Sequence, residues 1–201
     1  MRRVLVTVFV MLLAWTGHAA ANALTPEQKA EVERIRSYLE SVTTLESTFQ
    51  QYDGRGNIAT GRFWLHRPNR LRFEYDPPNP ILIVARGSFL VHFDKELKET
   101  YYLDQDDTPA WFLLSEEVQF GDTVAIEDVG RDGDRVYVTA RQKNKPDEGA
   151  ITLVFSHSPL RLLGWSLVDA GGGQTHLTLL KQTAGGEIDQ DLFQFRPTDY
   201  D

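Results

Sequence analysis

The chain has 201 residues, 41% hydrophobic and 25% charged, which fits one folded domain and excludes a disordered polymer. Asp and Glu outnumber Lys and Arg by 29 to 21, and a net charge of −8 repels phosphate backbones, which argues against a nucleic-acid partner. Cysteine is absent, so disulfides, thiolate metal sites, a cysteine nucleophile and a lipid-modified N-terminal cysteine are excluded, and burial and hydrogen bonding must hold the fold.

Met1-Arg2-Arg3 is a short basic start, followed by an apolar run from Val4 to Trp15 that only Thr7 interrupts. That run is shorter than the ~20 residues needed to span a bilayer. Ala21-Asn22-Ala23 then supplies a small-residue cleavage signature. Residues 1–23 therefore read as a secretory signal peptide, and residues 24–201 as the exported domain without a membrane anchor. Loss of Arg2 and Arg3 takes the net charge from −8 to −10.

Thr25-Pro26-Glu27-Gln28 is a helix start: a threonine cap, proline in the first turn, and glutamine at capping-box spacing. Val32, Ile35, Leu39, Val42 and Leu45 recur at three- and four-residue steps, which predicts an amphipathic helix of about 20 residues packed on a core.

Beyond it the apolar period is two. Leu71, Phe73 and Tyr75 alternate with Arg72 and Glu74; Phe89, Val91 and Phe93 with Leu90 and His92; Ile151, Leu153 and Phe155 with Thr152 and Val154; Leu177 and Leu179 with His176 and Thr178. Val136 and Val138 flank Tyr137 in the same way. Turn sequences such as Arg67-Pro68-Asn69, Asp76-Pro77-Pro78 and Gly171-Gly172-Gly173 separate the runs. Spacing of about 10 residues predicts consecutive antiparallel strands, roughly ten in all, too many for a flat sheet and suited to strong curling or barrel closure. The class is mainly β with helices (α+β).

The segment Asp106-Asp107-Thr108-Pro109-Ala110-Trp111-Phe112-Leu113-Leu114 breaks the pattern with a cap, a proline and an apolar run. One helical turn that is apolar all round must bury itself in something. It is either a plug that permanently seals a barrel end or a movable lid over an apolar interior. The aromatic residues along the strands, Phe63, Phe73, Tyr75, Phe89 and Phe93 among them, are either a solid core or the lining of a cavity. Composition does not choose.

No reactive constellation stands out. The histidines (18, 66, 92, 157 and 176) include no pair at metal-ligand spacing, and there is no nucleophile elbow or phosphate loop. We therefore expect no catalytic residues, metal or cofactor.

The stretch from Gly61 to Tyr75, GRFWLHRPNRLRFEY, resembles the periplasmic outer-membrane lipoprotein carrier (LolA-like) family, as do Phe49-Gln50-Gln51, the lid segment Thr108–Leu114 and the ending Phe193-Gln194-Phe195-Arg196-Pro197. The similarity spans nearly all of residues 24–201. It implies an incomplete, strongly curled antiparallel barrel with a helical lid. It also implies a monomeric, soluble periplasmic chaperone that shields the acyl chains of lipoproteins. Such a carrier takes cargo from an inner-membrane ATP-driven release complex and passes it to an outer-membrane receptor. Arg67 would be the latch that bonds lid carbonyls. Pro109, Trp111, Phe112, Leu113 and Leu114 would form the lid. Leu71, Phe73, Tyr75, Phe63, Phe89 and Phe93 would meet acyl chains or partners. Leu71 stands where some relatives carry an aromatic. The same scaffold would also suit a periplasmic sensor that binds lipid or lipoprotein as a signal.

Overall fold

A computed structural model of the protein describes residues 24–108, 111–118, 120–121 and 123–200. The leader expected over residues 1–23, and Pro109 of the lid, lie outside the described residues.

Helix α1 runs from Pro26 to Ser41. Its capping box forms as the spacing predicts: Gln28 N–H donates to Thr25 Oγ1 at 3.2 Å and Thr25 N–H to Gln28 Oε1 at 2.9 Å. The helix is shorter than its apolar spacing suggests. Val42 is already extended at its C-cap, and Leu45 belongs to the first strand. The sequence Val42-Thr43-Thr44 is a β-branched run, which disfavours helix and starts a strand.

Eleven strands follow: β1 Thr44–Asp53, β2 Ile58–His66, β3 Arg70–Tyr75, β4 Ile81–Arg86, β5 Phe89–Asp94, β6 Glu99–Asp104, β7 Val124–Asp132, β8 Arg135–Gln142, β9 Gly149–Ser156, β10 Arg161–Asp169 and β11 Gln174–Ala184. They form one antiparallel sheet in the order β6-β5-β4-β3-β2-β1-β11-β10-β9-β8-β7. Chain neighbours pair throughout, except that β1 and β11 join the two halves and β6 and β7 remain as the edges. The barrel is incomplete between those edges, and the connection from β6 to β7 carries α2, Trp111–Leu114.

The sheet is strongly curled. Along a flat sheet β2 and β10 would lie about 14 Å apart. Across the concave side the rings of Phe63 and Trp165, on those strands, approach to 6.1 Å. Phe73 on β3 comes within 6.2 Å of the same indole.

One core fills the concave side. It takes Ile35 and Leu39 from α1, Phe112, Leu113 and Leu114 from α2, and the inward residues of the strands. The alternations read on β3, β8, β9 and β11 all point inward. On β5 the expectation is reversed. Leu90 enters the main core, while Val91 and Phe93 join Leu82 and Val84 in a second, outer core beneath Phe195 and Tyr200. Leu90 gives the second face of β5 an apolar residue beside His92, so its period does not say which face is inside. The C-terminal segment decides it by folding over the outer face.

Candidate functional site

The inward aromatic residues form a continuous patch. Phe49 contacts Phe73 at 5.4 Å and Tyr75 at 5.0 Å between ring centroids, both edge-on, and Phe63 lies 4.5 Å from Phe73. Gly61 makes this possible. A Cβ there would stand 2.7 Å from the Phe49 ring and 2.3 Å from the Glu74 carbonyl oxygen. Leu71 is fully buried in the same core. Tyr75 donates its hydroxyl to Gln51 Oε1 at 2.6 Å, and burial pushes its pKa up to about 12.

Helix α2 sits on this patch. Phe112, Leu113 and Leu114 are buried, and the Phe112 ring lies 5.7 Å from the Trp165 indole. Trp111 opens the helix.

The turn between β2 and β3 bonds to the end of α2. Asn69, in the left-handed region at φ 62°, donates its main-chain N–H to the Leu114 carbonyl at 2.9 Å. Arg67 is only 8% exposed and spreads its guanidinium over three carbonyls. One nitrogen donates to Leu39 at the end of α1, and the other to Ser115 and, at 3.4 Å, to Glu116 beyond α2. A planar fork of donors suits carbonyls that a helix end leaves unpaired. Burial pushes the Arg67 pKa below its ordinary value, against the pull of the Glu40 carboxylate. Glu40 also accepts the Val118 N–H at 3.4 Å, so the last turn of α1 holds the far end of the lid segment.

Beneath the β2–β3 turn the interior is filled in this form. A gap beside Leu39, Leu65, Arg67 and Leu113 amounts to about 10 Å³. A single water needs roughly that much or slightly more. Phe112, Leu113 and Leu114 of α2 pack into the concave side as part of the core.

The predicted site residues therefore divide. Arg67, Leu71, Phe63, Phe73, Tyr75, Phe112, Leu113 and Leu114 come together on the concave side or at its closure. Phe89 and Phe93 do not. Phe89 is 55% exposed, and Phe93 is buried in the outer core. Phe49 and Trp165 belong to the strand aromatics that the sequence offers as core or lining, whereas it assigns no site role to Asn69 or Glu40. Asn69 was within reach, because asparagine after proline in a tight turn signals a left-handed position.

No helix among the described residues is long and apolar enough to cross a membrane, and no cluster of His, Asp and Glu among them is arranged to hold a metal ion.

Comparison with known proteins agrees with this geometry. In solved structures the fold recurs in a DUF1329 family protein from Desulfovibrio piger ATCC 29098, with TM-score 0.52, 9% identity, and 85% of this chain and 98% of that one covered. The outer-membrane lipoprotein carrier protein of Methylococcus capsulatus is 30% identical over 92% of this chain and 90% of its own length. That of Chromobacterium violaceum is 26% identical over 94% and 93%. The family model of the outer membrane lipoprotein carrier protein LolA matches residues 40–196, and the chain belongs to that family.

Proposed function

We propose that the protein is a periplasmic carrier, exported by residues 1–23, that shields lipoprotein acyl chains and moves lipoproteins as a monomer. It receives them from an inner-membrane ATP-driven release complex and delivers them to an outer-membrane receptor. One observation carries the reading. A short apolar helix fills an aromatic concavity, and a single turn fastens it there through the Asn69 N–H and the Arg67 guanidinium, both donating to carbonyls at its C-terminal end.

Magnitudes explain why such a form suits the task. An acyl chain leaving a bilayer for water forfeits about 0.8 kcal/mol per CH₂, so three chains of ~15 carbons would lose roughly 35 kcal/mol if carried bare. A carrier must replace the bilayer with an apolar lining. Burying Phe112, Leu113 and Leu114 returns about 1.5–3 kcal/mol each, on the order of 6 kcal/mol for the lid. Measured from water, a single chain of ~15 carbons is worth about 12 kcal/mol on the same scale, so once the release complex has drawn it from the bilayer it outcompetes the lid. The lid keeps the empty form from exposing its aromatic face, and it favours release by competing for the same surface.

In this reading Arg67 is the latch. Its bonds to Ser115 and Glu116 exist only with the lid seated, so they bias the balance towards the empty state and hence towards hand-over. The test adds purified protein to spheroplasts and identifies the released proteins by mass spectrometry, then presents the loaded carrier to outer membranes. The native protein should release acylated proteins and pass them on. Arg67→Leu should release and retain them. Release of no acylated protein by the native chain would remove the carrier reading, and normal hand-over by the variant would remove the latch.

A further inference from the structure

A second apolar space lies where β8 ends and β9 begins, on the concave side of the sheet. Ala140 of β8, Ile151 of β9, Leu167 of β10 and Thr175 of β11 stand side by side in register and form a row across four strands. The first two belong to the main core and Leu167 packs against it. The row is the floor of a half-open cleft of about 250 Å³, bounded on one side by Asp107 and Thr108 at the start of the lid segment. Gln142 Nε2 donates to the Asp106 carbonyl at 3.0 Å and Lys145 pairs with Asp107, so the approach to the lid is pinned to the end of β8.

We propose that this cleft is the port through which the methyl end of one cargo acyl chain enters while the lid is still seated, an inference that rests on the carrier reading. The cleft stands open to solvent in the same form in which Arg67 and Asn69 hold α2 shut. Its volume exceeds the about 150 Å³ of a dry apolar cavity that accepts a benzene ring. The two cations at its rim are already matched: Lys145 lies beside Asp107 and Glu148, and Arg141 beside Glu127 at 2.7 Å, while the rim carboxylate of Asp169 takes the Gly171 and Gly173 N–H groups. No cation is left over for an anionic headgroup, and the chain's net charge of −8 repels one. Hydrocarbon is what the cleft recognises, so the tail enters first and the headgroup stays outside.

This placement makes loading stepwise. A chain end resting on Ile151 and Leu167 touches the same face that buries Phe112 and Leu113. Each further methylene that advances displaces some lid contact, and the bare concavity is never exposed to water as a whole.

The absence of cysteine permits a direct test. A fluorophore on Thr175→Cys is titrated with stearate carrying a nitroxide at its chain end, and a fluorophore on Leu97→Cys, at an exposed position outside the cleft, serves as the control. Saturable quenching at position 175 and none at 97 is expected, and purified acylated lipoprotein should displace the probe. Adding Leu167→Trp should fill the cleft and weaken the probe's binding by about tenfold or more. Ala140→Leu is the second filling variant should the first fail to fold. Equal quenching at both positions, or quenching unchanged by a filling variant that melts cooperatively, would overturn the port. Failure of the probe with normal lipoprotein release refutes the port and leaves the carrier reading standing. Probe binding at position 175 that lipoprotein does not displace refutes the port's role in cargo loading.

Discussion

The ring of Phe112 meets the indole of Trp165 edge-on, with centroids 5.7 Å apart and planes inclined at 75°. Trp165 also touches Phe63 and Phe73, so Phe112 completes a cluster drawn from both halves of the sheet. Phe112→Ala removes that contact from the closed form only. Deleting a buried phenylalanine costs about 3–5 kcal/mol in a core. Here the loss falls on lid closure, since the strands keep their own partners. Uptake of a fluorescent fatty acid should therefore tighten by at least about tenfold while the melting temperature falls only a few degrees. Hydrogen exchange at the Asn69 amide, which bonds to Leu114, should accelerate in parallel. A large drop in melting temperature without tighter uptake would mean that the helix is a permanent plug.

Gly61 is a second point where one atom decides the packing. An alanine methyl would collide with the Glu74 carbonyl oxygen at 2.3 Å as well as with the Phe49 ring. The ring can move, but the carbonyl is part of the β2–β3 ladder. Gly61→Ala should cost about 2–3 kcal/mol in urea unfolding. Combining it with Phe49→Leu should recover none of the backbone clash, so the double variant should stay less stable than Phe49→Leu alone.

Much of this was legible in the chain. The capping box at Thr25 and Gln28 fixed the start of α1 because its chemistry is local. The alternations from Leu71, Val136, Ile151 and Leu177 fixed strands and their inward faces, because each opposes apolar to polar residues. Where that opposition fails, the reading fails. Phe89-Leu90-Val91-His92-Phe93 carries apolar residues on both faces, and only the distant segment around Phe195 and Tyr200 settles which side is outer. The end of α1 is not legible, because Val42 and Leu45 continue a helical spacing through residues that prefer extended backbone. Whether the aromatic residues line a cavity or fill a core depends on where α2 rests, a tertiary fact with no local signal.

The outer core supplies a third prediction. Arg72 donates to the Leu192 carbonyl and the Tyr200 hydroxyl, each at 3.2 Å, and to Glu74 at 2.9 Å, while Glu74 also takes Lys95 at 3.0 Å. This network fastens the C-terminal segment over Leu82, Val84, Val91 and Phe93. Deleting residues 190–201 should leave a folded barrel that binds an apolar dye and self-associates by light scattering, because an exposed apolar patch recruits a partner. Arg72→Gln should show the same behaviour more weakly, with a stability loss of about 1–3 kcal/mol.

Tyr75 gives a prediction in pH. Its phenol is buried against Phe49, and burial disfavours the phenolate, so its pKa in the folded protein is raised to about 12 from an unfolded value near 10. The unfolded chain thus loses this proton first as pH rises. The contribution of the neutral phenol is complete below about pH 10 and is lost progressively as pH climbs through about 12, amounting to roughly 2–3 kcal/mol across that window. Tyr75→Phe lacks the proton. At neutral pH it should be less stable by about 1 kcal/mol, for want of the hydrogen bond to Gln51. Above pH 10 its stability should decline less steeply than that of the native protein, so that the two curves approach and then cross. The other tyrosines titrate in both proteins and cancel in the difference. Urea unfolding at intervals from pH 8 to pH 12 reads this directly, and parallel curves would show that the phenol already reaches solvent with the lid in place.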